Sequence, residues 1–87
     1  MKSLLFVSAL LISGQLFART ECTTEPKSKW MNAETFKKSL EATYKIKVFK
    51  ETKGNCYEIY GWNKAGKKVE IYFHPVTGAV VKENIEK

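Results

Sequence analysis

Between Cys56 and His74 the chain alternates side-chain character in two short runs broken by Asn63-Lys64-Ala65-Gly66. A period of two with a polar, glycine-bearing break dictates an antiparallel hairpin. In the first run Tyr57 and Ile59 point one way, and Cys56, Glu58, Tyr60 and Trp62 point the other. In the second, Val69, Ile71 and Phe73 share a side opposite Lys68, Glu70, Tyr72 and His74. A sheet so built has one apolar face and one face that should be wet. Upstream, Ile46 and Val48 alternate with Lys45, Lys47 and Lys50, which reads as another strand ending at the Thr52-Lys53-Gly54-Asn55 turn. Downstream, Pro75-Val76-Thr77-Gly78 turns the chain again. Ala79 to Lys82 adds a short final strand, with Lys82 to Lys87 fraying beyond it.

The period lengthens ahead of these strands. Ala33, Phe36, Leu40 and Thr43/Tyr44 recur at helical spacing, with Lys37, Lys38 and Glu41 on the opposite side. Asn32 is a suitable N-cap, Glu34 sits where the helix dipole favours an acid, and Trp30 or Met31 can close the end as a hydrophobic staple. The pattern predicts one amphipathic helix of about three turns. The expected fold is therefore α+β: one helix packed on one face of an antiparallel sheet of three or four strands. Phe36, Leu40, Tyr44, Ile46, Val48, Tyr57, Ile59, Val69, Ile71 and Phe73 are its expected core.

The first residues read as an export signal. Met1-Lys2-Ser3 precedes an apolar run from Leu4 to Ile12, then Ser13-Gly14-Gln15 and Leu16-Phe17-Ala18. Cleavage is expected after Ala18, dividing the chain into a signal peptide (1–18) and one domain (19–87) destined for the periplasm or secretion. That apolar run is shorter than the ~20 residues a spanning helix needs, and no later segment is apolar enough. A domain of about 70 residues buries too little surface to be secure without reinforcement. Cys22 and Cys56 are the only cysteines, and in an oxidising compartment they are expected to bond, tying the polar arm from Arg19 to Lys29 to the second strand. No C-x-x-C spacing supports redox chemistry instead.

The formal charge is +6, and +5 once Lys2 leaves with the signal; Arg19 is the only arginine and the acids are all glutamates. Absence of aspartate excludes Asp-rich calcium loops, and absence of arginine forks argues against nucleic acid. Attraction to anionic lipid or other polyanions at low salt remains open.

Little here suggests catalysis. His74 is the only histidine, and no motif links it to Ser28 or Ser39, the serines beyond the signal. No metal-ligand or cofactor-binding set is present, so neither a metal nor a cofactor is expected. Glu58 and Glu70 share a predicted face on neighbouring strands, an arrangement that acid/base chemistry can use, but Lys68 and other lysines are the expected cross-strand partners. The rings of Tyr60, Trp62 and Tyr72, with His74 at the strand end, are the candidate binding residues, because a wet face carrying several large rings is a recognition patch. The other reading is that the N-terminal arm, with Trp30, covers those rings. A free sheet edge offers a second route, accepting an extended peptide as an added strand, though lysines there also protect against aggregation.

The Cys22–Trp30 segment, the helix, and the runs GNCYEIYGW, KKVEIYF and PVTGAVV together resemble small exported single-domain members of the PepSY family. The resemblance covers nearly all of residues 19–87 and is most specific at Cys56–Gly61 and Pro75–Gly78. It departs at His74 and Ala79, where such members often carry an acid; a ligand role for those acids would be missing here. The resemblance implies a non-enzymatic envelope module of PepSY fold. PepSY domains occur in propeptides of secreted metallopeptidases and in cell-surface proteins, with peptidase inhibition or regulation as their suggested role. The expected function is accordingly binding of an envelope protein or peptide, a peptidase among the candidates, by a monomer. The alternative is binding a small anionic ligand or envelope polymer, lipid or glycan, through the lysines and rings.

Overall fold

Alternation makes the chain a sheet, and the computed structural model, which describes residues 19–87, shows four antiparallel strands in the order in which they occur in the sequence. The expected signal segment lies outside the described residues. The elements are a short 3-10 turn at Lys27–Lys29, helix α1 (Ala33–Leu40), and strands β1 (Lys45–Glu51), β2 (Tyr57–Trp62), β3 (Lys68–Phe73) and β4 (Val80–Ile85). The helix lies on one side of the sheet, as expected.

Helix α1 begins where its cap dictates: the Asn32 side chain accepts from the Thr35 N–H at 3.0 Å. It is shorter than the periodicity predicts. After Leu40 the Thr43 and Tyr44 amides both return to the Leu40 carbonyl, so the chain turns before Tyr44 enters a helix. Tyr44 still packs on the core, along with Leu40 and Ala33.

The core is the apolar face of β2 and β3 closed by Phe36: Phe36, Tyr57, Ile59, Val69, Ile71 and Phe73 are all buried. Phe36 stacks on Tyr57 at 5.6 Å and meets Phe73 edge-on at 5.3 Å. Burial of aromatic and aliphatic area of this kind is the main favourable term in a domain this small. Val48 does not belong to it. The β1–β2 register slips between Ile46 and Val48, so Val48 pairs with Tyr60 on the far side and is exposed. Phe49, opposite Ile59, takes the inward position instead. One extra residue in a strand reverses every side chain beyond it. Gly61 sits at this slip because a Cβ there would run into the Lys45 carbonyl.

Strand β4 is also longer than expected, running to Ile85 rather than stopping near Lys82. Backbone pairing with β3, continued by the Glu86 amide donating to the Lys68 carbonyl at 2.9 Å, holds it although all six residues are exposed.

The N-terminal arm is fixed at several points. Cys22 and Cys56 form a disulfide, and the Cys22 amide donates to the Gly54 carbonyl at 3.0 Å. The arm passes so close that a side chain at Gly54 would strike the Thr20 carbonyl. Farther on, Lys27 pairs with Glu51 at 2.8 Å, and Met31 donates its amide to the Pro75 carbonyl at 2.8 Å. Trp30 meets Tyr57 edge-on at 5.5 Å, and the Tyr57 hydroxyl donates to the Met31 carbonyl at 2.6 Å. From Lys27 to Met31 the arm is thus anchored on the helix side of the sheet, while its start, Arg19 and Thr20, borders the far face beside Lys50 and Tyr72.

Candidate functional site

Strand register builds the far face in three rows. Lys50, Glu58, Tyr72 and Lys82 stand opposite one another across all four strands. Val48, Tyr60, Glu70 and Asn84 make the next row, and Lys45, Trp62 and Lys68 the third. Directly opposed residues in antiparallel strands share a face, so these side chains lie together. The structure therefore brings Tyr60, Trp62 and Tyr72 onto one surface. Trp30 is elsewhere, against Tyr57.

The centre of that surface is a polar network. Glu70 accepts three hydrogen bonds: from the hydroxyls of Tyr60 at 3.1 Å and Tyr72 at 3.0 Å, and from the Asn84 amide at 3.2 Å. Glu58 lies diagonally beside it and is only 2% exposed. Its Oε1 is 3.8 Å from Lys50 Nζ, and its Oε2 has no partner. Burial pushes the Glu58 carboxyl above the usual carboxylate range, and neighbouring Glu70 pushes it the same way. Glu70 is held below that range, first by the Glu58 carboxyl beside it and then by the Tyr72, Asn84 and Tyr60 donors. The acids divide their roles: Glu58 retains a proton more readily, and Glu70 carries the charge. Burial and the two glutamates push the Tyr60 phenol up to about 12, and burial with Glu70 raises Tyr72 as well, so both stay protonated donors.

Lys68 is not the partner that the alternation suggests for these acids. Its backbone amide donates to Glu86 Oε1 at 2.9 Å, while the lysine nearest to Glu58 is Lys50. Lysines instead flank the rings: Lys45 Nζ lies 5.8 Å from the Trp62 centroid and Lys50 Nζ 5.5 Å from that of Tyr60.

Two grooves flank the network. One, of about 420 Å³, runs along Tyr60, Trp62, Glu70, Lys47, Lys68 and Asn84. The other, of about 490 Å³, is bordered by Arg19, Lys50, Lys53, Lys82, Glu58 and Tyr72. His74 lines neither. It closes the turn after β3, where its Nδ1 accepts from the amides of Val76 at 3.2 Å and Thr77 at 3.3 Å. Among the described residues no group of three His, Cys, Asp or Glu side chains is placed to hold a metal ion.

Sequence reasoning places both glutamates on this face but misses the tyrosines and Asn84 that donate to Glu70. The shared face was the available signal. Asn84 gave none, because its strand reads as a fraying end. Lys53 and Lys82, which border the second groove, are indistinguishable in sequence from other surface lysines.

Fold and surface together define a disulfide-tied helix-on-sheet domain whose far face is ringed and polar. Within that class, the chain belongs to the PepSY family described as peptidase propeptide and YPEB domain, whose model matches residues 2–84. No curated protein and no solved structure matches it. Among the described residues no helix is long and apolar enough to cross a membrane. A disulfide in a domain of this family is a feature of oxidising, extracytoplasmic surroundings.

Proposed function

We propose that this protein is a non-enzymatic interaction module, exported by a signal cleaved after Ala18, that binds a protein or peptide in the cell envelope. A peptidase is the partner class that the family description favours, with regulation or inhibition as the outcome. The observation that carries this reading is the far face itself. Tyr60, Trp62 and Tyr72 stand together there with two open grooves, and neither α1 nor Trp30 covers them among the described residues. Tyrosine and tryptophan contribute large contact area at small entropic cost, which is why they dominate binding hot spots. His74, spent on its own turn, has a structural role in this reading.

The test is capture of partners by the tagged, disulfide-bonded protein in its native cells, compared with a Tyr60→Ala/Trp62→Ala variant of unchanged far-UV spectrum. Saturable capture that the variant loses supports the module; identical capture by both proteins would sink it. Hydrolysis of peptide or ester substrates by the pure protein, lost in His74→Ala, would overturn the non-enzymatic part.

A further inference from the structure

The far face has a second character that its rings alone do not explain. Lys45, Lys50, Lys68 and Lys82 stand in its rows, and Lys47 and Lys53 border its grooves. Against these cations the rows carry two acids, Glu58 and Glu70, and the grooves add Glu51, paired with Lys27, and Glu86, which accepts from the Lys68 amide. Glu70 is enclosed by three donors, and Glu58 is almost inaccessible. Neither of these two central acids presents an open carboxylate to an approaching ligand.

We propose that this face receives an extended acidic segment of a polypeptide partner, with an apolar residue in the Tyr60–Trp62 groove and carboxylates at Lys53 and Lys82 in the other. The inference rests on the interaction-module reading above and adds the chemistry of the partner. Charge complementarity is its first support. Lys53 and Lys82 are exposed and make no ion pair among the described residues, whereas Arg19 is engaged by Glu21 at 3.0 Å. The raised Glu58 carboxyl lowers the negative charge at the centre further.

Span is the second support. Glu58 and Trp62, which mark the two grooves, are four residues apart on β2, about 13 Å along a strand. An extended segment of about four residues covers that length and reaches both grooves together. A single phosphate or carboxylate does not. The rings also lack the form of a membrane anchor: Trp62 is half-buried beneath Lys45, and both tyrosine hydroxyls are tied to Glu70, so none of the three projects as an apolar prong into a bilayer.

The test uses the purified protein with its disulfide intact and three probes. These are a synthetic peptide alternating Glu with Phe, its counterpart alternating Lys with Phe, and vesicles of phosphatidylglycerol and phosphatidylcholine. The Glu peptide is expected to bind, more weakly as salt rises, and the Lys peptide is not. Lys53→Glu/Lys82→Glu should weaken the Glu peptide at least about tenfold, roughly one step of 1.4 kcal/mol, with an unchanged melting temperature. Lys53→Gln/Lys82→Gln, which avoids reversed charge, should show a smaller loss in the same direction. Equal binding of both peptides, no binding of the Glu peptide, indifference to both lysine variants, or vesicle binding that displaces the Glu peptide would each overturn the proposal. Partner capture that depends on Tyr60 and Trp62 but ignores Lys53→Glu/Lys82→Glu would remove only the acidic segment. Capture indifferent to the two rings would remove the module reading beneath it.

Discussion

Both faces of this sheet carry aromatic rings and use them in opposite ways. On the helix side, Phe36, Tyr57 and Phe73 pack against one another, and the one hydroxyl among them is satisfied by a backbone carbonyl. On the far side, Tyr60 and Tyr72 point their hydroxyls at a carboxylate, and lysines lie over the rings of Tyr60 and Trp62. The first arrangement excludes water and stabilises the fold. The second keeps polar groups ordered beside open grooves, which suits recognition. Aromatic content alone therefore does not reveal function; the company each ring keeps does.

Substitutions should separate the faces by size of effect. Phe36→Ala on the helix side should cost about 3–5 kcal/mol, read as a large fall in the denaturant midpoint, because it opens a cavity that the core cannot refill. For a domain with this little core, that approaches its whole stability. Replacing both cysteines by serine should cost roughly 3–4 kcal/mol in the chain-entropy model, given the sequence separation of 34 between them. The same melts, run with and without reductant on the unaltered protein, should reproduce that loss. On the far side, Tyr60→Ala/Trp62→Ala should cost no more than about 1–2 kcal/mol while abolishing partner capture. If that pair unfolds the protein as Phe36→Ala does, the contrast between the faces fails.

The smallest expected effect concerns pH. The Glu58 carboxyl titrates above its unfolded value, so the folded state holds the proton more tightly than the unfolded chain. Its contribution is favourable at low pH and falls away as pH rises from about 4.3, the ordinary glutamate value, through the raised folded one. Glu70 acts oppositely and lower: its stabilisation is lost as pH drops beneath the ordinary value. Melting temperatures across mildly acidic to neutral pH should therefore decline toward neutrality, and Glu58→Gln should flatten that slope. An unchanged slope in the variant would show that Glu58 is not the group responsible.

Much of this was legible in the residues. The phase of β2 and β3 followed from strict alternation, so the rings at 60, 62 and 72 were correctly assigned to the face away from the helix. Asn32 marked the helix start. What failed did so for local reasons. In Lys45–Glu51 the adjacent Val48 and Phe49 both fit an inward position, and only the slip at Lys47 decides between them. Val80–Ile85 has no buried residue to impose a pattern, so its pairing with β3 is invisible without the neighbouring strand. That second failure concealed Asn84, and with it the third donor that completes the Glu70 network.

The central claim is that recognition belongs to the far face. It is tested most directly by placing a photo-crosslinking side chain at position 62, on that face, or at exposed Lys38 on helix α1, in the native cell. The account predicts a discrete protein adduct from position 62, suppressed by Lys53→Glu/Lys82→Glu, and none from position 38. Adducts of equal yield from both positions, or from position 38 alone, would contradict it.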